Sequence, residues 1–365
     1  MTKTSVILVP VTTFNIGAYP ARLRVTQLTA SVGRDTVLGM RSLQCALLVA
    51  AASMMVLVSC ATQQESPEER LDIIYPRDRP FAESRFVDIA GITLHYRLWA
   101  PDGEPVGKVL LLHGIGGSTF SFNELAPLLI ERGYSVVALD LPGFGFSDPA
   151  VEFEHTATNR LGYVWTLVDR LDTDENQFNP LERWFVIGHQ MGGEFALWMA
   201  NDRPGRIAGL TLIATVVGDN RPGGRMAWFP PVRWALRAWL RNSLYTPEGV
   251  RELLEDAYGR APTEQAVDGY LAPLVLDDAR KALSNFARTV GPDQPSLTEV
   301  TVPVLCLWGD ADTWRSLEDG REQSLLFQNS RFEVIEGASH VPMDTHASDV
   351  ASLFTSWAAT VSEAD

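Results

Sequence analysis

One short stretch of the sequence has the spacing of a turn that presents a catalytic side chain. In the pattern Gly-x-Ser-x-Gly, small residues allow a sharp turn between a buried strand and a helix, and the central side chain is lifted above the sheet. Residues Gly188 and Gly192 keep the outer positions, but the central residue is Gln190. A glutamine carboxamide has no proton that a histidine base could remove, so ordinary acyl-enzyme chemistry should be absent. A chance glycine-rich turn is the alternative interpretation.

The segments on either side of this turn have the composition of the elements that such a turn joins. Residues 184–187 form a short apolar run that is typical of a buried strand. The apolar residues within 195–200 indicate a helix packed on a sheet. We therefore expect Gln190 to follow a strand and to precede a helix.

Two further strand-to-loop transitions precede this turn in the chain. The apolar run 109–112 leads into the loop His113 to Gly117, and the run 135–139 leads into Asp140 to Asp148. The second loop has the form Asp-x-Pro-Gly-x-Gly-x-Ser. Together with the turn around Gln190, these motifs and their order resemble the α/β-hydrolase family.

The resemblance covers roughly residues 85–360 and implies the fold. We expect an α/β protein with the α/β-hydrolase fold, in which a mostly parallel sheet is flanked by helices and a helical cap is inserted after strand 6. Residues 81–217 and 295–365 would form this core, and residues 218–294 would form the cap.

The resemblance also implies the remaining site residues. The catalytic order in this fold is nucleophile, acid, then histidine. By the family's patterns, Asp312 is the acid, with Asp310 as the alternative, and His340 is the histidine. The backbone N–H groups of Ile115 and Met191 would form the oxyanion hole.

Three roles for Gln190, at the nucleophile position, remain open. Its carbonyl oxygen could accept from the Met191 and Ile115 N–H groups while its NH2 donates to His340, which would plug the oxyanion hole. Alternatively, His340 and Asp312 act as a general-base dyad on water or on an acidic substrate proton, with Gln190 orienting the ligand. The third role is hydrolysis of Gln190 to a glutamate nucleophile. An engineered inactivating substitution is a further alternative.

The N-terminal region resembles a bacterial lipoprotein signal. Arg41 precedes the apolar stretch 46–58, which runs into a lipobox ending at Cys60. We expect residues 1–59 to be a leader, with Met40 as the possible true start, and Cys60 to be lipidated. An uncleaved membrane anchor is the alternative, but the stretch is short for crossing a bilayer.

This signal predicts the location of the protein and the segment that follows the anchor. A lipid anchor at Cys60 would attach the chain to the bacterial cell envelope. In a Gram-negative cell, Ala61 favours the periplasmic face of the outer membrane. Residues 60–80 are polar and contain prolines, so they are predicted to be a tether.

Composition excludes several classes of partner. The chain has 30 Lys and Arg residues against 45 Asp and Glu residues, so nucleic acid is an unexpected partner. Of the 3 cysteines, only Cys306 would remain free in the mature chain, which predicts no disulfide framework and no thiol metal site. We expect no metal and no cofactor. Four further histidines are interpreted as structural or surface residues: His95, His155, His189 and His346.

The cap region contains helical patterns but no strong strand signals after the predicted strand 210–217. The patterns fall at Val250 to Tyr258 and at Leu274 to Val290. Within the cap, residues 233–241 place arginines every four positions with tryptophans beside them. Such a helix can rest on anionic lipid, although an ordinary solvated face is the favoured interpretation.

Two functions follow from these observations. The first is a membrane-anchored α/β-hydrolase-fold enzyme that acts on a small or lipid-like apolar substrate through a His340/Asp312 dyad, without a serine nucleophile. The second is a catalytically inactive pseudohydrolase that binds a small apolar or ester-like ligand or a partner. Fold alone does not choose between them, because one scaffold hosts many activities.

Overall fold

The computed structural model describes residues 67–173, 178, 182–218, 245–290 and 293–364. The chain divides into two units, Met1–Gln64 and Glu65–Asp365, and the described residues all belong to the second. The predicted leader, the lipidation at Cys60 and the helix at 233–241 lie outside the described residues.

Eight strands form one sheet. Their bounds are β1 Ser84–Ile89, β2 Ile92–Trp99, β3 Gly107–Leu112, β4 Tyr134–Leu139, β5 Trp184–His189, β6 Ile207–Ile213, β7 Val304–Gly309 and β8 Ser330–Ile335. The spatial order is β1-β2-β4-β3-β5-β6-β7-β8. Strand β2 pairs antiparallel with β1 and with β4, and every other pairing is parallel.

Helices connect these strands and cover the sheet. They are α1 Pro67–Ile74, α2 Leu125–Glu131, α3 Ala157–Thr173, α4 Met191–Asp202, α5 Pro247–Tyr258, α6 Glu264–Leu271, α7 Ala279–Thr289, α8 Leu317–Ser324, α9 Pro342–Thr345 and α10 Ala347–Ala364. Within the described ranges, no helix combines the length and the apolar composition needed to cross a bilayer.

The central strands are buried on both faces because helices cover both sides of the sheet. Strand β3 shows this directly: Val109 and Leu111 join one apolar cluster, and Leu110 and Leu112 join the other. Alternate residues of a strand point to opposite faces, so a strand buried on both sides must be apolar throughout. The predicted fold class, a mostly parallel sheet flanked by helices, is confirmed.

The structure differs from the expected tether over its second half. Residues Pro67–Ile74 form helix α1, and Leu71 is only 2% exposed. The Arg70 guanidinium donates to the Asp268 carboxylate of α6 at 2.6 Å, and Tyr75 packs edge-on against Phe120. The polar composition of this segment conceals two buried side chains, Leu71 in α1 and Tyr75 directly after it.

The described part of the cap region is helical, and its helices begin and end as their sequences require. The Thr246 hydroxyl caps α5 by accepting from the Gly249 N–H, and Gly259 ends that helix with φ 66°. The predicted helical pattern 274–290 is interrupted, because α7 starts only after Asp278, whose φ is 64°. A left-handed residue of this kind cannot continue a helix.

Candidate active site

The turn at Gln190 is strained, and neighbouring glycines make it possible. Gln190 has φ 49° and ψ −112°, between the end of β5 and the start of α4. A Cβ on Gly188 would collide with the Gly192 backbone, and a Cβ on Gly192 would collide with the Leu112 carbonyl. A non-glycine residue in such a conformation costs about 1–3 kcal/mol and persists only where its surroundings hold it. The main chain therefore has the shape that the sequence pattern predicted.

The side chain of Gln190 is held by the loop after β3. The Ile115 N–H donates to Gln190 Oε1 at 3.1 Å. Gly114 leaves room for this contact, because a Cβ there would lie 2.9 Å from the same oxygen. The carboxamide oxygen thus occupies a donor that could otherwise stabilise an anion.

Only part of the pose considered for Gln190 is formed. No hydrogen bond joins the Met191 N–H to Gln190 among the described residues, and His340 Nε2 has no partner there either. Of its three predicted partners, Gln190 therefore bonds only to the Ile115 N–H within the described ranges.

A buried histidine, His113, is the first residue of this loop and fixes its path. His113 Nδ1 lies 2.8 Å from the Gly114 carbonyl, and the Leu141 N–H donates to His113 Nε2 at 3.2 Å. Burial lowers the pKa of His113, which agrees with a neutral ring that donates at Nδ1 and accepts at Nε2. This ring ties the loop that carries Ile115 to the loop after β4. From the sequence, His113 is only the first residue of the His-Gly motif after β3.

His340 and Asp312 form a hydrogen-bonded pair. His340 Nδ1 lies 2.9 Å from Asp312 Oδ2, and the two side chains are 1% and 0% exposed. The other carboxylate oxygen, Oδ1, accepts from the Trp314 and Arg315 N–H groups at 2.8 and 2.9 Å. A carboxylate that accepts on both oxygens requires His340 to donate from Nδ1, so a neutral imidazole presents its lone pair at Nε2.

Asp310, the alternative acid, has a different partner. Its carboxylate accepts from the Gly337 N–H at 2.7 Å, in the loop that follows β8. The geometry thus pairs His340 with Asp312.

The sheet explains why these distant residues meet. Ile115 follows β3, Gln190 follows β5, Asp312 follows β7 and His340 follows β8. These strands are parallel, so their carboxyl ends lie along one edge of the sheet, where sites in open α/β sheets are built.

Two residues outside the predicted site contact His340. His189 Nε2 lies 3.0 Å from the His340 carbonyl, and burial holds the pKa of His189 well below its ordinary value. A neutral His189 therefore donates to this carbonyl. The Trp314 ring lies 4.7 Å from the His340 ring, between centroids, at an interplanar angle of 37°. His189 lies inside the motif of the strained turn, and Trp314 follows the acid Asp312 by two residues.

Helix α5 is bonded to this arrangement at two points. The Trp314 indole N–H donates to Asp256 at 2.5 Å, and the His340 N–H donates to the Ala257 carbonyl at 3.0 Å. The histidine is thus positioned by the acid loop, by β5 and by a helix of the cap region.

A cavity of about 280 Å³ opens beside Gly116. Its lining includes the apolar side chains of Phe144, Phe146, Leu274 and Leu283. None of Gln190, Asp312 and His340 lines it, so it adjoins the loop of Ile115 without including the paired groups.

The strained turn, the N–H-bearing loop and the acid–histidine pair agree with one family. A sequence model of the alpha/beta hydrolase family matches residues 109–353. The chain belongs to the alpha/beta hydrolase family. It is 26% identical over 251 residues to the uncharacterized hydrolase YugF of Bacillus subtilis (strain 168), covering 66% of this chain and 85% of that protein. It is 29% identical over 285 residues to human monoglyceride lipase, covering 75% of this chain and 89% of the lipase.

Solved structures agree with the fold of this alpha/beta hydrolase. The crystal structure of a membrane phospholipase A, described as a bacterial virulence factor, has a TM-score of 0.62 to this chain. The sequences are 20% identical, and the match covers 87% of this chain and 99% of the phospholipase.

Proposed function

We propose that the chain is a lipid-anchored α/β-hydrolase-family enzyme that acts on a small or lipid-like apolar substrate through His340 and Asp312, without a serine nucleophile. The observation that carries the proposal is the His340–Asp312 pair, whose Nε2 has no partner among the described residues. A histidine held in this tautomer is ready to accept a proton.

In this mechanism His340 is a general base. Its Nε2 takes a proton from water or from an acidic substrate group, and Asp312 stabilises the imidazolium that forms. The Met191 N–H, at the start of α4, faces the developing anion together with the Ile115 N–H once a substrate displaces Gln190 Oε1. The Gln190 amide then orients the bound ligand through its hydrogen bonds.

The substrate class rests on two kinds of support. The cavity beside Gly116 has a largely apolar lining, which suits an acyl or alkyl group. The relatives named above include a monoglyceride lipase and a phospholipase, so a lipid-like ligand is the natural choice. Lipidation of Cys60 would place the enzyme at the envelope membrane where such substrates occur.

A second function is favoured by one contact. The Ile115 N–H is occupied by Gln190 Oε1, which opposes anion stabilisation in the resting chain. In that case the protein is a pseudohydrolase, and its pocket binds an apolar ligand or a partner without turnover.

Ester hydrolysis by the purified full-length chain separates these functions. p-Nitrophenyl butyrate and octanoate are offered to the wild type, to Gln190→Ser and to His340→Ala, with His346→Ala as a control histidine outside the pair. Turnover by the wild type that is lost in His340→Ala but kept in His346→Ala supports the dyad enzyme. An inert wild type whose Gln190→Ser variant gains His340-dependent turnover supports the pseudohydrolase.

The membrane anchor has its own test. Cys60→Ala should move the protein from the membrane fraction to the soluble fraction of the cell, while Cys45→Ala should leave it in the membrane fraction. Equal membrane attachment of the Cys60→Ala chain would contradict lipidation at that position.

A further inference from the structure

A second histidine–carboxylate pair lies in the hairpin at the edge of the sheet. His95 Nδ1, on β2, lies 2.7 Å from Asp140 Oδ2, directly after β4. On the other side of the same ring, His95 Nε2 lies 2.8 Å from the Ser84 hydroxyl oxygen at the start of β1. Ser84, His95 and Asp140 therefore form a continuous hydrogen-bonded chain, here called the hairpin relay.

The other contacts of these groups give the direction of each hydrogen bond when the His95 ring is neutral. Asp140 also accepts from the Thr119 N–H at 2.6 Å and from the Phe146 N–H at 2.8 Å. Burial raises the pKa of this carboxyl, but the neighbouring His95 and the hydrogen bonds outweigh burial and lower it overall. An ionised Asp140 only accepts, so His95 donates to it from Nδ1.

The same argument applies to the hydroxyl. The Phe81 N–H donates to Ser84 Oγ at 3.0 Å, which leaves the hydroxyl proton free to be donated. With Nδ1 protonated, a neutral His95 accepts that proton at Nε2. The polarity is therefore hydroxyl to imidazole to carboxylate, as a serine nucleophile with its base and orienting acid requires.

The serine is the solvent-exposed end of the hairpin relay. His95 and Asp140 are 0% exposed, whereas Ser84 is partly exposed on the edge strand β1. The Phe86 ring lies 5.0 Å from the His95 ring, and Phe86 is 37% exposed. An apolar acyl group that approaches Ser84 would thus meet an aromatic face at the surface.

A buried cation lies directly across the ladder from the serine. Ser84 pairs with Arg97 in the β1–β2 register, so their side chains share one face of the hairpin. The Arg97 side chain is 5% exposed and pairs with Glu83 at 2.9 Å, while its Nε has no hydrogen-bond partner among the described residues. A cation on the same face of the hairpin as Ser84 provides favourable electrostatics for a negative charge that develops there.

We propose that Ser84 is a second nucleophilic site, distinct from Gln190, that reacts with activated esters of short-chain carboxylic acids. Ser84 Oγ forms a bond to the ester carbonyl carbon while its proton passes to His95 Nε2. The C–O bond to the alcohol then breaks, and the alcohol leaves with that proton. Water releases the acid in the second half-reaction, again with His95 as base.

Chemical labelling of the full-length chain tests this site without relying on a variant. A fluorophosphonate, which phosphonylates base-activated serines and expels fluoride, is incubated with the wild type, and the adduct is located by peptide mass spectrometry. We expect the adduct on Ser84, formed at least about tenfold faster than on any other serine, because general-base assistance contributes about 100-fold or more. Absence of an adduct on Ser84, or a rate equal to that of other serines, would overturn the proposal.

Two alanine variants distinguish reactivity from a purely structural role. Ser84→Ala removes the hydroxyl on His95 Nε2, whereas Ser147→Ala removes a hydroxyl of the same network that contacts the His95 backbone N–H instead. Hydrolysis of p-nitrophenyl acetate should fall at least fivefold in Ser84→Ala and less than twofold in Ser147→Ala. A lower melting temperature in Ser84→Ala with unchanged hydrolysis would assign the relay to hairpin stability alone.

Discussion

Two histidine–aspartate pairs occupy different places in one sheet and differ at the second ring nitrogen. His95 and Asp140, in the hairpin, have a serine hydroxyl on Nε2. In the other pair, His340 and Asp312 at the carboxyl edge, His340 Nε2 has no partner among the described residues, although the strained turn and the Ile115 N–H lie at that edge. The acid orients the ring in both pairs. What each pair can do depends on the group that Nε2 meets.

The two regions also contain different parts of a catalytic site. The hairpin relay has a hydroxyl proton to give, but Ser84 lies in the regular strand β1 rather than on a strained turn. The carboxyl-edge site has a strained turn at residue 190 and backbone N–H donors for an anion. The Gln190 side chain, however, has no proton that His340 could remove. Each region lacks the part that the other has.

Supplying the missing hydroxyl at the carboxyl edge should have the largest effect. Gln190→Ser places a serine on the strained turn beside an oriented base, and it frees the Ile115 N–H. We expect p-nitrophenyl butyrate turnover to rise about 10⁴-fold, because removing the serine of such a set costs at least that much. Steady-state kinetics measure the change, and Gln190→Ala, which frees the same N–H without adding a hydroxyl, is the control. An equal rise in both variants would contradict the role of the hydroxyl.

Removing the acid should reverse much of that gain. In the Gln190→Ser chain, Asp312→Asn should lower kcat about 1000-fold, because an amide no longer selects the tautomer that donates from Nδ1. Asp310→Asn is the matched control two residues away, and we expect it to change kcat less than threefold, since Asp310 contacts Gly337. Similar losses in the two variants would mean that the pairing of His340 is not specific.

The two histidines should differ in their contribution to stability. His95→Gln leaves the buried Asp140 and Ser84 without their partner, and we expect a loss of about 3 kcal/mol in the free energy of unfolding. His340→Gln also leaves a buried carboxylate, Asp312, without its histidine, but within the described ranges Nε2 of this ring holds no second side chain. We therefore expect a smaller loss, of about 2 kcal/mol. Urea denaturation at neutral pH measures both. A larger loss at His340 would reverse the comparison.

The smallest expected effect is the acid dependence of the hairpin pair. The folded chain lowers the pKa of Asp140, so the unfolded chain binds this proton first as the pH falls. The stability that Asp140 provides is therefore present above the ordinary pKa of aspartate and is lost as the pH falls through the lower, folded pKa. Urea midpoints measured from pH 7 to pH 3 should fall more steeply for the wild type than for Asp140→Asn. Parallel curves would contradict the lowered pKa.

The sequence predicted the parts of the site that depend on main-chain shape. Gly188 and Gly192 are required where backbones approach closely, so the turn could be inferred from their spacing. Asp312 and His340 were predicted through the resemblance to the family, which gives the order nucleophile, acid, histidine. The family pattern favours Asp312 and leaves Asp310 as the alternative, because both carboxylates follow β7 within three residues. The structure adds the contacts: Asp312 bonds to His340, and Asp310 bonds to Gly337.

Other features depend on contacts that no local pattern contains. The polar composition of residues 60–80 predicts a tether, although residues 67–74 form helix α1. The contact that holds this helix joins Arg70 to Asp268, which lies nearly two hundred residues later in the chain. The contact between Trp314 and Asp256 joins a loop to a helix of the cap region. The sequence predicts a structural or surface role for His95, because no local pattern connects it with Ser84 and Asp140. The pairing of β1, β2 and β4 brings the three residues together. Such pairings become visible only once the sheet is assembled.

The strained turn at Gln190 also determines how this site can be rebuilt. Its positive φ is imposed by close backbone contacts around Gly188 and Gly192 rather than by the glutamine side chain. Replacing residue 190 therefore changes the side chain at this position but keeps the main-chain conformation of the turn. Serine, cysteine and aspartate at this one position would place a hydroxyl, a thiol and a carboxylate nucleophile on the same main-chain turn.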